Sequence, residues 1–107
     1  MTWTTVCKTD QIEEDIPYSA KLESKEIGIY LLNGEYYALE DVCPHAYALL
    51  SEGFVEDGQV ECPLHEALFD IKTGKCLRGP AERDIKVLPL RITDGEIQLN
   101  TAEVNEL

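Results

Sequence analysis

Three Asx-Gly dipeptides cut this chain into short strand-like runs: Asn33-Gly34, Asp57-Gly58 and Asp94-Gly95. Asn and Asp tolerate the left-handed backbone region and Gly enters it freely. Each dipeptide therefore suits the two-residue turn whose twist matches a pair of antiparallel strands. The first separates residues 26–32 from 35–40, the second 53–56 from 59–62, and the third 87–93 from 96–100. Three such turns in 107 residues point to an all-β, antiparallel chain. The flanks agree. Ile97 and Leu99 alternate, as do Ile85 and Val87 and, after a shift, Leu90 and Ile92. Ile27, Ile29 and Leu31 alternate too, but Tyr30 and Leu32 make the other face apolar, which places that strand centrally. Tyr36 and Tyr37 are neighbours on a strand, so one should face inward and the other outward. Trp3 should pack the N-terminal strand that carries Cys7. Residues 9–15 read as a turn or one short helical turn with Thr9 or Asp10 as cap, and the polar residues 101–107 as an end that frays.

Two Cys/His pairs sit between these runs. Cys43-Pro44-His45 is followed, sixteen residues after His45, by Cys62-Pro63-Leu64-His65, and together they use both histidines of the chain. In an extended knuckle, side chains at i and i+2 leave the same face, so Cys43 and His45 can converge on one object. The second pair has one more intervening residue and needs a turn, which Pro63 presets; Pro44 stiffens the first loop in the same way. Each loop thus supplies one thiolate and one imidazole. That set suits a Rieske-type 2Fe–2S centre, in which two cysteines hold one iron and two histidines the other. Zinc is the competitor, since Cys2His2 is also a zinc set. Zinc fingers, however, place two cysteines in one knuckle and two histidines in the next, whereas here the types are mixed within each loop. Colour and acid-labile sulfide separate the two readings.

At these residues the chain resembles the Rieske ferredoxins, small electron carriers of bacterial multicomponent aromatic-ring dioxygenases. The likeness extends to Leu50-Ser51-Glu52-Gly53, Phe69-Asp70, Thr73-Gly74 and Gly79-Pro80-Ala81. It implies a single Rieske domain over 1–107. Its base would be an antiparallel β sandwich or barrel, with a small cluster-binding β subdomain at about 42–82. It further implies one 2Fe–2S cluster, with Cys43 and Cys62 on the inner iron, His45 and His65 on the outer iron, and Gly79-Pro80-Ala81 as a covering loop. Many relatives have glycine after each histidine; this chain has Ala46 and Glu66, and the Glu66 carboxylate beside His65 should lower the potential. Respiratory Rieske proteins carry an additional cysteine in each loop, where this chain has Ala48 and Leu64, and hydroxyls where it has Ala67 and Phe69. Hydrogen bonds to cluster sulfur favour the reduced state. Their absence sets the expectation at the bottom of the Rieske range, about −150 mV.

Size and charge bound the rest. The chain is long enough for one domain. No apolar run reaches the length of a membrane span, and residues 1–5 show no secretory signal, so a cytoplasmic location is expected. Cys7 and Cys76 are left over and read as reduced thiols, with Cys76 near enough in sequence to pack beneath the cluster. The net charge of −12 argues against nucleic acid and suits a carrier drawn to basic faces. Leu49, Leu50 and Leu64 would form an apolar collar, with Tyr47 as a shield or a partner contact. The implied role is one-electron transfer from a flavin- and NADH-dependent ferredoxin reductase to a terminal oxygenase, by a monomer in transient complexes. Oxygen activation needs a separate mononuclear iron, typically with two histidine ligands, and none remains. The alternative is a small subunit of a larger reductase, like that of nitrite reductase.

Overall fold

The computed structural model describes residues 2–43, 48–64, 67–79 and 83–107. In chain order their strands are β1 (Trp3–Lys8), β2 (Tyr18–Leu22), β3 (Lys25–Leu32), β4 (Glu35–Glu40), β5 (Phe54–Glu56), β6 (Gln59–Glu61), β7 (Leu68–Asp70), β8 (Cys76–Arg78), β9 (Val87–Leu88), β10 (Leu90–Thr93) and β11 (Glu96–Asn100). A short helix, α1 (Thr101–Val104), follows. They form three sheets, ordered β1-β11-β10, β2-β3-β4-β9 and β5-β6-β7-β8. Every strand pairing within them is antiparallel, as the sequence implied.

The Asx-Gly turns set the register. Their residues have positive φ in sequence order: 51° and 82° at Asn33-Gly34, 54° and 75° at Asp57-Gly58, 52° and 76° at Asp94-Gly95. These are the turns in which both central residues are left-handed, and they close β3–β4, β5–β6 and β10–β11. A fourth hairpin, β2–β3, turns through Glu23 and Ser24 at φ 54° and 66°. That dipeptide has no glycine and gives no hairpin signal; the five-residue ladder from Tyr18↔Ile29 to Leu22↔Lys25 holds it.

Strands β3 and β4 divide the interior. Ile27, Ile29 and Ala38 point into one core with Cys7, Ile12, Ala20, Leu88, Ile97, Leu99 and Val104. Tyr30, Leu32 and Leu39 point the other way, into a core with Cys43, Leu50, Val60, Cys62, Ala67, Phe69, Ile71 and Ile85. Side-chain alternation along a strand makes this division unavoidable once both faces are covered. The central position read for β3 is therefore correct. The one-in, one-out expectation for Tyr36 and Tyr37 is not: Tyr36 packs on the first core and Tyr37 on the second, because neither face of β4 is a solvent face.

Three further expectations are corrected. Residues 87–93 are not one strand. Pro89 has no N–H to give a ladder, so the chain changes sheets there: Leu88 pairs with Ala38 on β4, and Leu90 with Leu99 on β11. Beyond the switch Ile92 is exposed rather than part of an apolar face. Residues 101–107 do not fray. Asn100 Oδ1 accepts from Ala102 N–H at 3.0 Å, Val104 is fully buried, and Lys25 Nζ donates to the Leu107 carbonyl at 2.8 Å. The early helical turn spans Thr9–Gln11, but its tie is Lys8 N–H donating to Gln11 Oε1 at 2.9 Å rather than a Thr9 or Asp10 cap. Trp3 lies under the Arg91 guanidinium, 4.7 Å from ring centroid to Cζ.

Candidate metal centre

Cys43 lies just beyond β4 and Cys62 just beyond β6. Both are almost wholly buried, at 2% and 1% exposure, and both belong to the second core. Their local backbones match. Cys43 N–H donates to the Ala48 carbonyl at 2.9 Å and Cys62 N–H to the Ala67 carbonyl at 2.8 Å. Each loop is therefore pinched shut five residues beyond its cysteine, with that loop's histidine inside the span. The first loop is reinforced by a bridge between Val42 and Leu49. The second runs directly into β7, whose Phe69 pairs with Val60 on β6. The β5–β6 hairpin, turned by Asp57-Gly58, lies between the loops in sequence.

This arrangement fits the thiolate half of a two-iron cluster: two cysteines, equivalent in backbone setting, enter one dry core from neighbouring stems. Thiolates in apolar surroundings need a compensating cation, which a bound cluster would supply. The imidazole half, His45 and His65, lies outside the described residues, as do Pro44, Ala46, Tyr47, Glu66, Pro80, Ala81 and Glu82. Expectations for those positions carry forward unchanged.

Around the thiols the core is apolar. Ala67 and Phe69, the positions read as lacking hydroxyls, are both fully buried in it. The proposed leucine collar is only partly present. Leu64 is 60% exposed at the surface and Leu49 is half-buried, but Leu50 is in the core. It starts a 3-10 turn, Leu50–Glu52, that directs its side chain inward. Cys76 pairs with Phe69 and packs on the edge of the same core. Its N–H donates to Asp84 Oδ1 at 2.8 Å. Cys7 is in the other core, among aliphatic neighbours, and burial pushes its thiol up to about 11.

Two polar features escaped sequence reasoning. Asp41, two residues before Cys43, is fully buried. It accepts from Ser51 N–H at 2.7 Å and from Ser51 Oγ at 2.6 Å. Burial raises its carboxyl above the usual range, and the Ser51 hydrogen bonds act against that rise. Glu40, on the same stem, accepts from both terminal guanidinium nitrogens of Arg83, at 2.7 and 3.2 Å, and from Lys86 N–H at 2.7 Å. This ties residues 83–86 to the end of β4. A carboxylate pair, Glu40-Asp41, immediately before a cysteine-bearing loop was the available signal.

The Rieske [2Fe-2S] domain profile matches residues 2–89. The anthranilate 1,2-dioxygenase ferredoxin subunit of Burkholderia cepacia is 41% identical over 98 residues, covering 92% of this chain and 91% of that protein. Among solved structures, the ferredoxin of Sphingomonas yanoikuyae B1 superposes with a TM-score of 0.88 at 27% identity, covering 92% of this chain and 98% of the other. A chain from the complex of reduced oxygenase and oxidized ferredoxin in carbazole 1,9a-dioxygenase superposes with a TM-score of 0.84 at 26% identity, covering 92% and 93%.

Proposed function

The chain belongs to the Rieske [2Fe-2S] domain family, and on that premise we propose that Cys43, His45, Cys62 and His65 hold its 2Fe–2S cluster in a one-electron carrier of an aromatic-ring dioxygenase system. The observation that carries this reading is the pair of buried cysteines in matched, pinched loops that share one core. When bound, the cluster supplies a single-electron couple. Cys43 and Cys62 would anchor it from the buried side, and His45 and His65 would form the edge towards the partner. Ala67 and Phe69 themselves carry no side-chain hydroxyl, which supports a potential near the Rieske minimum, about −150 mV.

The donor is a flavin- and NADH-dependent ferredoxin reductase, and the acceptor a terminal oxygenase. The carrier is a monomer that meets each in turn, in the cytoplasm. The ferredoxin relatives and the solved oxygenase–ferredoxin complex support this over a fixed small subunit of a larger reductase. With both histidines assigned to the cluster, catalysis belongs to the oxygenase. The net charge of −12 draws the carrier to basic partner faces. Its reduction rate should fall as ionic strength shortens the screening length to about 10 Å at 0.1 M.

Reconstitution tests the proposal. Holo-protein, a candidate reductase and a candidate oxygenase are mixed, and product formation from NADH is followed with this protein present or omitted. Dependence on it supports the carrier. Product formation at the same rate without it rejects the role in that system, and a stable stoichiometric complex on size exclusion would favour the subunit reading.

A further inference from the structure

We propose that Asp41, Ser51 and Gly53 are positioning residues that fix the two cysteine-bearing loops relative to each other, so that the thiols are held in place before and during electron transfer. This rests on the ligand assignment above.

The contacts run continuously from one cysteine to the other. Asp41 lies two residues before Cys43, and its carbonyl accepts from Leu50 N–H at 2.7 Å. Its carboxylate takes both donors of Ser51. Ser51 lies in the 3-10 turn Leu50–Glu52, which Gly53 N–H closes on the Leu50 carbonyl at 2.9 Å. Gly53 then abuts the second stem: a Cβ there would lie 1.8 Å from the Glu61 carbonyl oxygen. Glu61 immediately precedes Cys62. The φ of Gly53 is −90°, which any residue adopts, so glycine is required here for space alone. Two backbones meet where a side chain would hold them apart.

The pairing is informative. Asp41 is fully buried and sets both carboxyl oxygens on Ser51, at 2.7 and 2.6 Å. The backbone pinch between Cys43 and Ala48 already closes the loop. Two short hydrogen bonds to adjacent donors of one residue fix its orientation as a single bond would not. The Asp41–Ser51 pair therefore suits a part whose task is fixed geometry. Opposite it, Gly28 keeps the space clear: a Cβ there would lie 3.0 Å from both Asp41 Oδ1 and the Tyr30 hydroxyl.

The test uses reconstituted holo-protein and four variants: S51A, S51T, G53A and, as control, N100A, which uncaps α1 in the other core. The readouts are the EPR spectrum of the reduced state, the rate of iron loss to a chelator, and Tm. S51A and G53A should broaden the spectrum and speed iron loss about tenfold, the scale on which partners of metal ligands act. S51T should restore both. N100A should lower Tm while leaving the spectrum and the loss rate at wild-type values. The proposal is overturned if S51A keeps the wild-type spectrum and loss rate, whatever its Tm; should G53A not fold, S51A decides alone. A wild-type spectrum without nitrogen coupling would overturn the ligand assignment, and this proposal with it.

Discussion

The two cores on either side of β3 and β4 are built on different terms. The first is closed by ladders of five and four residue pairs, β1 on β11 and β10 on β11, and is filled by aliphatic side chains and one thiol of raised pKa. The second is roofed by β5, β6, β7 and β8, strands of three residues each. Such short strands have little stability of their own. They are held by the back faces of β3 and β4, by Phe69 and Ile71, and by the stems of the cysteine loops. The first core is complete as protein. The second surrounds the two thiols proposed as cluster ligands, and on that proposal its stability should be linked to loading.

Substitution of the buried thiols should separate the cores most sharply. Cys43→Ala or Cys62→Ala should abolish iron incorporation, whereas Cys7→Ala should keep full iron content and cost about 1 kcal/mol, an ordinary value for a point substitution. Iron and sulfide assays with a denaturant titration measure this. Iron lost equally from Cys7→Ala would mean that the cores are not independent. Stripping the cluster with a chelator comes next. Amides of β5–β8 should lose hydrogen-exchange protection by orders of magnitude while those of β1, β10 and β11 keep theirs. Uniform loss would show one cooperative unit.

Redox tuning should also be confined to the second core. Phe69→Tyr or Ala67→Ser, if the hydroxyl reaches sulfur, should raise the midpoint potential. A hydrogen bond worth about 1 kcal/mol corresponds to roughly 40 mV in a one-electron couple. Val104→Thr, a hydroxyl added to the first core, should leave the potential unchanged. The smallest effect is on pH dependence. The Cys7 thiol is held neutral by burial, its pKa raised from 9.0 to about 11. The stability linked to that neutral form is whole below pH 9, where the unfolded thiol is protonated as well. It falls as the pH rises through about 11, because the unfolded state ionises first. Cys7→Ala should flatten the loss of stability over that window relative to wild type. Parallel profiles would exclude the contribution.

Legibility in the sequence followed the range of the forces involved. The three Asx-Gly hairpins were readable because each turn depends on the backbone of two adjacent residues. The two-faced burial of β3 was readable from Tyr30 and Leu32 interleaved with Ile27 and Ile29. The residues nominated as ligands were readable because thiolate and imidazole are scarce and chemically distinctive. The switch at Pro89 was missed because alternation across 87–93 looks the same whether one sheet or two receive it. The helix after Asn100 was missed because polar residues hid one anchoring side chain, Val104. The Asp41–Ser51 clamp was missed because a buried carboxylate and a surface one read alike in sequence.

By itself the sequence determined an antiparallel chain with two loops, each bearing a cysteine and a histidine, since turn geometry and ligand chemistry are local properties of a few residues. Only the tertiary structure decided that both faces of β4 are interior, that Cys7 and the other buried cysteines lie in separate cores, and that Gly53 brings one stem against the next. Those outcomes depend on which surfaces exclude water and which backbones can touch, and both are set by the packing of segments far apart along the chain.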